Sequence, residues 1–193
     1  MMIFNKDEIA NIKSIFEKES ATRELVINES RKVLKDSKQA IYLVHQGKMA
    51  EAKKLLADAK KVIDRLKKFS LVGTAYTGSF SVALQEYIEA MTFLAFAEKK
   101  PVPAYSSVKS FVNLDDYLMG LSDLTGELTR RAVLLSIKKK YKEVMGIRDT
   151  IDDIHGIFLQ ISPGNNELRK KSDAIKWNLQ KVENVIYDIE LKK

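Results

Sequence analysis

The run from Ser79 to Ala97, SFSVALQEYIEAMTFLAFA, constrains this chain more than any other stretch. It is apolar on nearly every side, and Glu86 and Glu89 are its only charges. A helix of that kind is normally buried. On a wheel of about 100° per residue, Glu86 falls within about 40° of Val82, Ala90, Phe93 and Ala97. An unpaired carboxylate in such surroundings costs on the order of several kcal/mol. The two glutamates therefore require a compensating partner, a cationic group or a bound metal.

The rest of the composition narrows the class. With 193 residues the chain can form one domain, 1–193, with a sizeable core, and 45% apolar content excludes a disordered chain. Only 3 prolines and 8 glycines interrupt long periodic segments, so an all-α fold is expected. The absence of cysteine excludes thiol catalysis, disulfide bridges and cysteine zinc sites. A formal charge of +7 favours a polyanionic partner. The start, MMIFNKDEIANIK, lacks the order of a signal peptide, and no uncharged run reaches membrane-spanning length. A cytoplasmic protein without a membrane partner is expected.

From Asn5 to about Gln46 the pattern is one long helix, with Val26, Val33, Ala40 and Val44 on its core stripe. On the opposite side Arg31, Lys35, Lys38, Tyr42 and His45 follow spacings of 4, 3, 4 and 3. They form a narrow row of about 80°. Cations and donors attract phosphates, and an aromatic ring accepts an unstacked base, so the row is a candidate nucleic-acid track. An ordinary solvated face is the plainer alternative.

After Gly47, residues Lys48 to Lys68 form an amphipathic helix with Ala52, Leu55, Leu56, Ala59, Ile63 and Leu66 inward. A looser segment, Leu71 to Gly78, leads into the apolar helix, which ends before Pro101 and Pro103. Tyr105 to Phe111 is a short helical turn. Asn113 caps the next helix, on which Leu114, Tyr117, Leu121, Leu124 and Leu128 form the core stripe. Asp116, Gly120, Asp123 and Glu127 line another side of that helix at spacings of 4, 3 and 4. Gly120 costs helix stability of roughly 1 kcal/mol, so its place implies a close approach. Arg130 and Arg131, one turn beyond Glu127, could pair with it. Two further helices follow, Lys142 to Ile161 and about Glu167 to Leu191. Trp177 and Tyr187 lie away from the core stripe of the last one and are candidate interface residues.

Two helices bearing Glu86-x-x-Glu89 and Asp123-x-x-x-Glu127 can bring four carboxylates to one point. An all-oxygen ligand set suits magnesium, or manganese. Carboxylate-held magnesium can activate water for phosphodiester hydrolysis. A carboxylate-bridged di-iron oxidoreductase is the weaker alternative. It usually needs Glu-x-x-His pairs, and neither His45 nor His155 stands at that spacing from an acid on these two helices.

Four stretches, SRKVLKDSKQAIYLVH, LQEYIEA, DDYLMGLSDLTGELTR and KVENVIYDIELK, resemble the translin family, and its factor X branch more closely than translin itself. They occur in the family's order, and the resemblance covers most of the chain. The resemblance implies a seven-helix α-superhelical fold, assembled into a barrel, commonly an octamer, that encloses single-stranded RNA or DNA. For the factor X branch it implies a magnesium-dependent endoribonuclease site. Those positions are held here by Glu86, Glu89 and Asp123, with Glu127 in support. Arg31, Lys38 and His45 also match, whereas Lys35 does not match well. A non-catalytic nucleic-acid-binding assembly, whose acids only pair with arginines, is the rival reading.

Overall fold

The computed structural model describes residues 5–70, 78–164 and 166–191. Of the segment read as looser, Leu71 to Gly78, residues 71–77 lie outside them and Gly78 opens a helix. Seven α-helices and no strand are found among the described residues. They are α1 (Lys6–His45), α2 (Met49–Ser70), α3 (Gly78–Ala97), α4 (Tyr105–Val108), α5 (Leu114–Ile137), α6 (Tyr141–Ile161) and α7 (Asn166–Glu190).

Local chemistry sets several of these boundaries. The side chain of Asn5 accepts the Glu8 N–H at 2.7 Å, and that of Asn113 accepts the Asp116 N–H at 2.7 Å, so each opens its helix by satisfying an orphan donor. α1, α3 and α5 all stop in the same way. Gly47, Lys99 and Lys139 take φ values of 78°, 58° and 57°, each just past the end of its helix. Each N–H there bonds back three residues, and the next N–H, that of Lys48, Lys100 or Lys140, bonds back five. The last carbonyls are satisfied and the chain turns away.

Cross-helix contacts give the topology. Lys38 meets Glu86 and His45 meets Phe93, so α1 and α3 run in the same direction. Ser81 and Gln85 meet Asp116, Ile88 packs on Gly120, and Arg131 lies over Phe93, so α5 also runs that way. Lys171 meets Asp123 and Asn178 meets Thr125, which adds α7. Four helices thus lie side by side with one polarity, in the order α1, α3, α5, α7. α2 returns along α1, as the Arg65 to Glu29 contact of 3.3 Å shows, and α6 packs on α5 and α7.

The core runs along this row. Val33, Ala40 and Val44 of α1, Leu84, Ile88 and Phe93 of α3, Leu124 and Leu128 of α5, Ile147 and Ile151 of α6 and Ile175 of α7 are all nearly inaccessible. The 3.6-residue stripes therefore point inward as expected. Two positions do not follow: Val82 and Leu114 are exposed. Both sit in the first turns of their helices, where fewer neighbours cover them. No helix among the described residues is long and apolar enough to cross a membrane.

Candidate active site

α3 lies between α1 and α5, so a residue on its flank meets side chains from both. The clamp between α3 and α5 is built from two contacts. Buried Asp116 accepts hydrogen bonds from Ser81 Oγ at 2.5 Å, Gln85 Nε2 at 2.7 Å and Asn113 Nδ2 at 3.0 Å. One turn on, a Cβ at Gly120 would come within 2.7 Å of the Gln85 carbonyl oxygen and 2.8 Å of Ile88. The close approach implied by this glycine is that of the α3 backbone. Asp116 is thus a structural acid that ties two helices, and Asp123 and Glu127 project further along the same groove.

There the four carboxylates interact. Glu89 is 8% exposed, and its carboxyl is pushed up to about 8. Burial is the largest cause, and the negative charges of Glu86, Asp123 and Glu127 add to it, while Lys171 acts against them. Burial also raises Glu86, against the pull of the Lys38 ammonium 3.4 Å away. Glu127 goes the other way, held below the usual carboxylate range mainly by its hydrogen bond to His45. Each of the other three acids thus acts electrostatically on Glu89.

The surroundings differ from the expectation at three points. His45 does not line an exposed track. Its side chain is only 6% exposed, its ring packs at a tilt against Phe93 with centroids 4.7 Å apart, and Nε2 is bonded to Glu127. Arg31, Lys35, Lys38 and Tyr42 are exposed as read, so the row is real for four residues and dives into the acid cluster at the fifth. The wheel places His45 in line with them, but the Phe93 ring of α3 and the Glu127 side chain of α5 pack against it at that turn. Secondly, Lys38 leans from the row onto Glu86 and so belongs to both features. Thirdly, Lys171 of α7 is bonded to Asp123 and was not anticipated. Its only sequence signal is the need of four acids for nearby cations, a need the two arginines of α5 were expected to meet. Arg130 does stand 3.8 Å from Glu127, but Arg131 turns away to lie over the Phe93 ring.

Among the described residues no three acidic or histidine side chains stand preassembled around a single point as a metal site. The donor set nonetheless suits a hard divalent cation, and the buried negative charge that lifts Glu89 is what such an ion relieves. Lys38 and Lys171 place positive charge against Glu86 and Asp123. On α7, Trp177 and Tyr187 are 62% and 64% exposed, as free of the core as their stripe implies.

The translin family model matches residues 21–193. The chain belongs to the translin family. A translin-associated protein X homolog of Schizosaccharomyces pombe is 26% identical over 206 residues, covering 97% of this chain and 89% of that protein. Translin of Gallus gallus is 29% identical over 128 residues, covering 65% of this chain and 54% of its own length. In three dimensions this translin-family chain resembles apo-NeC3PO, with a TM-score of 0.86 at 21% identity and coverage of 97% and 98%. A structure of AfC3PO with duplex RNA gives a TM-score of 0.86 at 20% identity, with coverage of 96% and 98%. The all-α, seven-helix expectation is thus met by fold as well as by sequence.

Proposed function

We propose that this translin-family protein is a magnesium-dependent (or manganese-dependent) endoribonuclease of the cytoplasm, acting on single-stranded RNA inside a homo-oligomeric barrel, an octamer by family resemblance. The observation that carries this reading is the buried Glu89 carboxyl, lifted to about 8 amid three further acids. Nothing in the packing of the core needs four carboxylates in one groove, and such crowding is typical of a site that works on a substrate. Glu86, Glu89 and Asp123 would hold the ion. When bound, it would supply charge neutralisation at the scissile phosphate and a more acidic water. His45, fixed by Phe93, keeps Glu127 ionised and oriented beside them. The test is cleavage of a labelled single-stranded RNA with magnesium against an EDTA control. A duplex of the same sequence is run beside it, since AfC3PO was solved with duplex RNA. Magnesium-independent or absent cleavage removes the nuclease reading.

One observation favours the second reading, a non-catalytic RNA- or DNA-binding assembly. The ion pairs of Lys38 with Glu86 and of Lys171 with Asp123 partly neutralise the acids without any metal. In either reading the exposed row guides the strand. Replacing Arg31 and Lys35 by alanine is expected to weaken RNA binding and to lower its salt slope by about 0.7 for each phosphate no longer neutralised. Lys61→Ala, on a different helix and paired with Asp58 at 2.8 Å, serves as the control. Fluorescence anisotropy across a salt series checks this, and equal weakening by all the changes would mean diffuse attraction instead of a track.

Self-assembly follows from the exposed aromatic pair on α7. An accessible tryptophan and tyrosine on one helix are typical anchors of a protein interface. Trp177→Glu is expected to move the particle to smaller species by light scattering and to reduce RNA cleavage with it. A wild-type monomer that cleaves RNA would sink the enclosed-barrel mechanism.

A further inference from the structure

Because α1, α3 and α5 run the same way, their carboxyl ends collect at one pole of the molecule. The pole holds two cavities that share Arg131, Leu135 and Glu143. The larger, about 320 Å³, lies between the end of α3 and the start of α6, with Phe96 and Ala97 on its apolar wall and Lys99 and Lys100 beside them. The smaller, about 190 Å³, reaches from His45 to Lys138 and Lys140. Arg131 stands at the junction and lies 6.0 Å from the Phe93 ring centroid, and Phe93 in turn packs against His45, the partner of Glu127. The paired cavities therefore adjoin the acid cluster.

Cations gather at this pole beyond what the fold requires. Each of the three helix ends carries lysine as the third residue past the terminus, Lys48, Lys100 and Lys140. One cation per end is what the helix dipole favours. The left-handed position before it is a different matter. α1 uses Gly47 there, but α3 and α5 use Lys99 and Lys139, at φ 58° and 57°, where a side chain is disfavoured and glycine is the usual choice. Lys140 and Lys100 have acidic partners, Glu143 and Glu98. Lys99, Lys138, Lys139 and Arg131 are in no ion pair among the described residues.

We propose that this pole is a second nucleotide subsite, which holds the RNA nucleotide flanking the one under attack. Its sugar or base rests on the apolar wall of Phe96 and Ala97, and its phosphate is held by Arg131, Lys99 and Lys138. An apolar wall with a few convergent cations is the make-up of a nucleotide pocket, and the larger cavity is of small-ligand size. A strand crossing from the exposed row of α1 to the acids would continue over His45 into this cleft. The proposal rests on the RNA-cleaving reading for its position but not for its test.

The test is made in EDTA, where no cleavage is needed. A short fluorescein-labelled oligouridylate and free uridine monophosphate are the probes. The double variant Lys99→Gly/Lys139→Gly places glycine where the backbone prefers it, so its thermal midpoint is expected to stay level or rise. Its oligouridylate affinity is expected to fall about tenfold, with the salt slope lower by about 0.7 for each phosphate no longer neutralised. Lys138→Ala should act in the same direction. Unchanged oligouridylate binding and salt slope in both variants would overturn the proposal. So would a weakening confined to uridine monophosphate, which would mark a site for free nucleotide instead of the strand. If the variants lose RNA binding but the wild type never cleaves RNA with magnesium, the subsite stands and the nuclease reading falls.

Discussion

Glu89→Gln is expected to reduce RNA cleavage by on the order of 10²–10³, the scale of losing one preorganised charged group, while the chain folds and assembles normally. The glutamine keeps the size of the protonated acid, so packing around the buried position is preserved. Its second effect is on stability, and it has the opposite sign. The Glu89 carboxyl lies near 4.5 in the unfolded chain and about 8 in the metal-free fold. Below pH 4.5 both states hold the proton, and the group adds no pH dependence. Between 4.5 and about 8 the unfolded chain releases a proton that the fold retains, so stability falls as pH rises through this window. The loss is on the order of a few kcal/mol. Glu89→Gln removes it. The variant should therefore melt at a higher temperature than the wild type at pH 8.5 and close to it at pH 5. Magnesium should restore the wild type at pH 8.5 and leave the variant unmoved. Scanning calorimetry at the two pH values, with and without magnesium, checks every part of this. Identical pH profiles for the two proteins would mean that Glu89 is not held out of water as described.

Gly120→Ala is expected to be among the most damaging small substitutions in the chain. On helix propensity alone, alanine would stabilise α5 by about 1 kcal/mol. The new methyl, however, would stand 2.7 Å from the Gln85 carbonyl oxygen and 2.8 Å from Ile88 Cβ. The first of these is main chain in the middle of a helix and cannot swing aside. Relief requires α3 and α5 to separate, which opens the core around Ile88 and stretches the Asp116 bonds to Ser81 and Gln85. Overpacking of this kind costs about 1–3 kcal/mol or more. The net result should be a thermal midpoint lower by several degrees, at about 2–4 °C per kcal/mol for a chain of this size. Activity should fall further than stability does, because the displacement separates Glu86 and Glu89 from Asp123 and Glu127. Retention of full cleavage at a temperature well below the midpoint would show that the spacing of these helices is not what aligns the acids.

Much of this was legible in the order of residues. The stripes of α2, α5, α6 and α7 repeat every three or four residues, and the two asparagine caps stand where the apolar pattern begins. Glu86 and Glu89 were conspicuous because acids rarely sit in so apolar a run. What escaped was decided by contacts between helices distant in sequence. The fate of His45 depends on Phe93 of α3 and Glu127 of α5 reaching it, and a helical wheel holds no information about other elements. Lys171 is one of two adjacent lysines at the start of α7, and only the parallel course of α5 and α7 singles it out. Gly120 announced a close approach, but not that the visitor was the backbone of α3.

α1 is much longer than the part of it that is buried. Its 40 residues span about 60 Å, yet Val26 is the first residue to be buried, and Ile9, Ile12 and Phe16 lie exposed along one face. Among the described residues, none in the five turns before Val26 is buried, and an uncovered helix of that length is marginal in water. Their order is therefore a property of whatever lies against them. In the isolated chain their amides should exchange with solvent almost as fast as those of a peptide, while those from Val33 to Val44 exchange only with global opening. A change in the exchange rate of this half of one helix would report association from within the backbone itself.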